Sequence, residues 1–172
     1  LNVRKATLDK IQKNAEIMTM IEAFGLKVDT KTMKLTYNKE DLRYGKIIIE
    51  SDADVDGSHI KNLFYTFIWT FCPQLIQDGY IYAGCPPLYQ ITEGKDTYIY
   101  LKDDEALNEY MEKNKNKKYV VKHLKGLGEM SEEETQLLVD PEQRIIQQVT
   151  VEDAEKADKL FDDLMRKFSF SS

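Results

Sequence analysis

The residues of this chain best suited to chemistry are the carboxylates of Asp52-Ala53-Asp54-Val55-Asp56-Gly57, set directly after Ile47-Ile48-Ile49 and directly before Ser58-His59-Ile60-Lys61. Carboxylates at alternate positions repel one another unless positive charge sits among them, and the expected counter-charge is a hard divalent cation with oxygen ligands. A calcium loop of the EF-hand kind needs a preceding helix and a glutamate at its twelfth position; here a strand-like run precedes, and Leu63 stands at position twelve. The motif therefore reads as a buried strand ending in carboxylates, with a helix starting at once. That is the carboxyl edge of an open α/β sheet, where such folds hold their ligands.

Asp52 and Asp54 are the expected catalytic pair and ligands of Mg2+, facing the ion directly or through water, since Mg2+ keeps several waters and needs few protein oxygens; Mn2+ or Ca2+ could substitute in binding. Asp56 completes the candidate metal set from further back, orienting Gly57 and the helix start. The plain alternative is a capped turn with its charges in water. Beside the cluster, His59 and Lys61 stand near the amino end of a helix, where anions such as phosphate are attracted. A second candidate for phosphate contact is the glycine-bracketed loop Lys125-Gly126-Leu127-Gly128 together with Lys122. Backbone can approach a ligand closely there, and the lysines can reach phosphates.

Around these residues, apolar positions at helical spacing predict a helix over residues 8–24, stopped by Gly25. Residues 27–38 suggest a weak hairpin or an irregular excursion, and Asn38 a short capped helix to residue 43. Residues 46–51 read as the buried strand carrying Asp52. Ser58 is the expected cap of a helix over residues 59–75, apolar nearly all round and kinked or restarted at Pro73. Residues 80–83 form a short strand, 88–92 and 97–101 a hairpin, 103–113 a helix begun by an aspartate. Residues 118–124 read as a strand alternating through Tyr119, Val121 and His123, and Ser131 with Glu134 as a capping box. A turn at Asp140-Pro141, a strand at 145–149 and a helix at 151–168 follow. Strands alternating with helices, without repeats, imply a layered α/β fold.

The length of 172 residues and 42% hydrophobic content allow one good core. No apolar run approaches the roughly 18 residues of a membrane span, and no signal peptide is evident. Cys72 and Cys85 lack metal or redox spacing, so both read as small buried hydrophobes in a reducing cytoplasm. The chain starts without Met and ends without a recognisable stop, which suggests a segment of a longer polypeptide. The net charge of −6 argues against nucleic acid as a partner, but the charge is uneven. Lysines crowd residues 113–125, while the acidity concentrates at 132–134 and 152–163. Neither a Ser-His-Asp arrangement nor a nucleotide loop of the G-x-x-x-x-G-K-[ST] type occurs.

Residues 47–59 closely resemble the acidic motif of the Toprim domain in the B subunits of bacterial type IIA DNA topoisomerases, DNA gyrase and topoisomerase IV. Further stretches agree in the same order: Leu1-Asn2-Val3-Arg4-Lys5-Ala6, Leu42-Arg43-Tyr44-Gly45-Lys46, Pro86-Pro87-Leu88-Tyr89, residues 101–107, Lys125-Gly126-Leu127-Gly128-Glu129-Met130 and residues 149–154. The resemblance implies a Rossmann-like parallel sheet flanked by helices over residues 1–130, lacking its first strand, with a strand-helix tail over 131–172. It also implies that Asp52 and Asp54, with a glutamate from an upstream segment absent here, hold the Mg2+ that aids DNA cleavage and rejoining. The nucleophile would be a tyrosine of the partner A subunit in a heterotetramer, DNA the substrate, ATP a ligand only of another domain, and the location a bacterial cytoplasm. Gln90 stands where the family usually has lysine after Pro-Leu-Tyr, removing one expected DNA contact.

Two other readings compete. Haloacid-dehalogenase-like phosphotransferases also end a strand in Asp-x-Asp, with Asp52 as nucleophile and Asp54 as acid, but they expect Thr or Val where Asp56 stands. A non-catalytic interaction module would use the aspartates only to shape a turn.

Overall fold

The computed structural model describes residues 7–52, 54–124 and 126–169. Helix-period apolar positions do run through residues 8–24, but Asn14 interrupts them by accepting from Ile17 N at 2.9 Å. The expected single helix is therefore two, α1 (Leu8–Gln12) and α2 (Ala15–Phe24), because a side chain able to cap competes with helix continuation. Gly25, at φ 81°, closes α2 in the left-handed conformation.

The weak hairpin is present as β1 (Lys27–Asp29) and β2 (Lys34–Thr36), antiparallel with Val28 opposite Leu35. The helix expected after Asn38 is instead a turn. Asn38 Nδ2 and Lys27 Nζ both donate to Asp41 Oδ2, at 3.0 and 2.6 Å, and so short a polar run cannot offset the cost of helix nucleation.

β3 (Ile47–Ile49) ends just before the acidic turn, and α3 (Val55–Phe71) follows. The helix starts earlier than Ser58 because Asp54 takes the capping role. Its Oδ1 accepts from Gly57 N at 2.7 Å and its carbonyl from Ser58 N at 3.1 Å. Tyr65, Thr66, Phe67 and Ile68 are buried in succession, as an all-round apolar helix requires, whereas Ile60 and Leu63 nearer the start are exposed. Pro73 ends the helix and α4 (Gln74–Gln77) restarts it.

The rest of the chain comprises β4 (Ile81–Gly84), β5 (Tyr89–Glu93), β6 (Thr97–Leu101), α5 (Asp104–Lys113), β7 (Val120–His123), α6 (Glu132–Val139), β8 (Ile146–Gln148) and α7 (Val151–Ser169). Asp103 caps α5 by accepting from Ala106 N at 2.8 Å. The capping box at Ser131 and Glu134 is formed as expected. The described strands group as β1-β2, β3-β4-β8 and β6-β5-β7, a mixed α/β structure with small sheets.

Of the described residues, those up to 48, from 59 to 82 and from 148 onward form one compact unit, and 49–58 with 83–147 form the other. Residue 130, the expected domain limit, falls inside the second unit. The first unit buries Ile11, Ile21, Leu35, Ile68 and Leu75, and α7 packs on α4, with Ala154 and Ala157 among its buried residues. Cys72 is also buried there, and burial pushes its thiol up to about 11.

In the second unit β5 lies between β6 and β7, both antiparallel to it, and fully buried Ile91 faces Ile99 on one side and Val121 on the other. The inward alternation expected for β7 does not hold, since Val120 and Val121 are exposed and Leu124, just beyond the strand, is buried instead. β7 is an edge strand, so one of its flanks is left to solvent. Among the described residues, no helix is long and apolar enough to cross a membrane.

Candidate functional site

The acidic turn belongs to the second compact unit and is folded tightly on itself. Ser51, buried two residues beyond the end of β3, donates its hydroxyl to the Gly57 carbonyl at 2.9 Å. The Asp52 backbone lies so close to Gly57 that a Cβ there would collide with the Asp52 carbonyl, so this first turn of α3 requires glycine.

A distant loop closes over the turn. Leu127 N donates to Asp52 Oδ1 at 2.7 Å, and a Cβ on Gly126 would stand 3.0 Å from the same oxygen. Between these segments lies a cavity of about 530 Å³ lined by Asp52, Asp54, Pro86, Pro87, Leu88, His123, Leu124, Gly126, Leu127 and Glu129. His123 stacks edge-on against Tyr89, with ring centroids 5.1 Å apart. The Tyr89 hydroxyl donates to Asp104, which raises its pKa.

The chemistry of this wall suits a hard cation. Asp52 and Asp54 each use Oδ1 for a backbone N–H of the protein, and among the described residues neither carboxylate has an ion-pair partner. Among the described residues no group of three or more His, Cys, Asp or Glu side chains is placed to hold a metal ion. Asp52 and Asp54 line the same cavity and are oxygen donors of the kind a hard divalent cation takes.

The other residues singled out in the sequence are distributed differently. Asp56 is exposed in the first turn of α3 and does not line the cavity. His59 belongs to the first unit and lines a smaller cavity there with Asn62, Leu63, Ala157, Leu160 and Phe161. Lys61, also on α3, is half-buried in that unit. Lys122 Nζ donates to Glu134 Oε1 at 2.8 Å. Lys125 lies outside the described residues. Gly126 is at the cavity, whereas Gly128, in a short 3₁₀ turn, lies in the open.

His123 and Glu129 line the cavity without having been singled out. Their signal was adjacency to the lysine-rich run and to the glycine loop, and adjacency alone does not give direction.

Comparison with known proteins shows what the chain is similar to. Residues 116–169 match the family model described as DNA gyrase B subunit, carboxyl terminus. Over 166 residues, 96% of this chain, the sequence is 42% identical to the DNA gyrase B subunit of Thermotoga maritima, of which it covers 25%. The figures for the DNA gyrase B subunit of Thermus thermophilus are 42% identity, 96% of this chain and 26% of that protein. Among solved structures, the Plasmodium falciparum topoisomerase II DNA-binding, cleavage and re-ligation domain superposes with a TM-score of 0.66 at 29% identity, covering 85% of this chain and 20% of that one. The likeness throughout is to type II DNA topoisomerases. Along almost its whole length the chain is similar to DNA gyrase B subunits, and it spans about a quarter of the length of the curated relatives it matches.

Proposed function

We propose that this chain is the Toprim part of a type IIA DNA topoisomerase B subunit and that Asp52 and Asp54 bind its Mg2+. In this reading the complete protein changes DNA supercoiling by transient double-strand cleavage and religation, with a tyrosine of the partner A subunit as nucleophile and ATP hydrolysed in another domain. It works on DNA in the cytoplasm. The observation that carries the reading is the Asp52 carboxylate held by the Leu127 amide at the wall of a cavity shared with Asp54, in a chain 42% identical to gyrase B subunits.

When bound, Mg2+ supplies stabilisation of the negative charge that develops on the phosphodiester oxygens. The protein's residues prepare the ground for it. The Leu127 N–H fixes the rotamer of Asp52 through Oδ1, leaving Oδ2 available to a ligand. Gly57 N does the same for Asp54, so both carboxylates are oriented before any ligand arrives. Lys125 and Gly126 approach backbone phosphates. Such contacts position DNA without reading its sequence.

The test is DNA cleavage by the full-length B subunit reconstituted with its A subunit, titrated with Mg2+. Asp52→Asn and Asp54→Asn should each reduce cleavage and raise the Mg2+ needed, roughly tenfold or more, while folding is kept. Parent-like cleavage by both variants at every Mg2+ concentration would sink the reading. The chain by itself should neither cleave DNA nor hydrolyse ATP, and ATP turnover that survives repurification would contradict that.

A further inference from the structure

Among the described residues, Glu134 is the carboxylate that is buried. A buried carboxylate is costly unless its oxygens are hydrogen-bonded, and both oxygens of Glu134 are. Oε1 accepts from Lys122 Nζ at 2.8 Å and Oε2 from Ser131 N at 2.9 Å. These donors stand on opposite stems of one loop. Lys122 is on β7, opposite Gln90, and Ser131 opens α6. Two residues beyond Lys122, buried Leu124 donates its N–H to the Leu88 carbonyl at 2.8 Å. Between the stems the chain carries Gly126 and Leu127 to Asp52.

We propose that Lys122 and Glu134 are positioning residues that clamp both stems of the loop between β7 and α6 and so hold the Leu127 amide on Asp52. A loop tied at both stems loses less freedom when its apex binds, so the Asp52 rotamer is set in advance. Lys122 then serves the site through Glu134, rather than as an independent phosphate contact. The functional meaning of the clamp rests on the reading of Asp52 as a metal ligand; the clamp itself does not.

The experiment measures amide hydrogen exchange by NMR in Lys122→Met, Glu134→Gln, their double variant and Lys122→Arg. Glu134→Gln can still accept from Ser131 N, so it isolates the loss of charge from the loss of the helix cap. The Leu127 amide should exchange about three- to tenfold faster in either single variant, with Ile91 unchanged. The double variant should be no faster than the singles, since both break the same contact, and Lys122→Arg should stay near the parent. Mn2+ affinity, read by electron paramagnetic resonance, should fall in step.

Leu127 exchange at the parent rate in both single variants would overturn the proposal. So would a shallower salt dependence of DNA binding in Lys122→Met with Leu127 unaffected, which would return Lys122 to a phosphate-contact role. Unaltered Mn2+ binding in Asp52→Asn would instead overturn the metal reading alone, leaving the exchange result to judge the clamp.

Discussion

Leu127 donates its backbone N–H to Asp52 Oδ1 at 2.7 Å across 75 positions of sequence. The bond joins the glycine loop to the acidic turn, so any change that moves either segment alters how the carboxylate is presented. The neighbouring Gly126 adds a steric limit, because its backbone comes to the same oxygen at a distance that leaves little room for a side chain.

Gly57 and Gly128 should respond oppositely to alanine. A Cβ at position 57 would run into the Asp52 carbonyl, whereas at Gly128 it meets nothing within 4 Å. Gly57→Ala should destabilise the chain by about 1–3 kcal/mol, as overpacking does, and Gly128→Ala should stay within about 0.5 kcal/mol of the parent. Urea unfolding midpoints compare them directly, and equal midpoints would show that the turn is looser than described.

Gly126→Ala separates site geometry from stability. Its Cβ would stand 3.0 Å from Asp52 Oδ1, the end of a side chain that can swing aside. The expected outcome is a parent-like unfolding midpoint with weaker Mn2+ binding. Unchanged binding would mean that the Asp52 rotamer does not matter to the ion.

Acid should reveal the Lys122–Glu134 pair. The Lys122 ammonium, and next the Ser131 N–H, hold the Glu134 carboxyl below its ordinary 4.5. A carboxylate depressed in the folded state adds stability above its unfolded value, and that stability is lost as pH falls through the folded value. The parent should therefore be more stable than Glu134→Gln near neutral pH, and its advantage should shrink progressively below about pH 4.5. Unfolding midpoints measured down that range test the sign. A pH-independent difference would assign the effect to packing.

For Lys125, the expectation rests on its place in the glycine loop. Lys125→Ala in the full-length protein should weaken DNA binding about equally across sequences and make the logarithmic salt slope shallower by roughly one. An unaltered slope would make this lysine a solvated surface residue.

Much of the local structure was determined by sequence alone, since the signals and their partners lie within a few residues. Asp103 capping α5, Ser131 with Glu134 opening α6, and the hairpin of β5 and β6 each follow from hydrogen bonds formed over short separations. Asn14 and Asp54 show where even local reading misjudged the competition. A continuous apolar period concealed the cap that splits α1 from α2, and Ser58 looked the better cap than the aspartate preceding it. The strand, acidic turn and helix of residues 47–71 likewise follow from residue type and spacing.

Only the tertiary structure decided which residues share the site. His123 and Glu129 reach the cavity of Asp52 and Asp54, while His59, beside the motif in sequence, lines a different cavity with α7. Lys122 is likewise turned to Glu134. Such outcomes depend on where the chain returns after long excursions, and short-range periodicity and capping carry no information about the direction of that return.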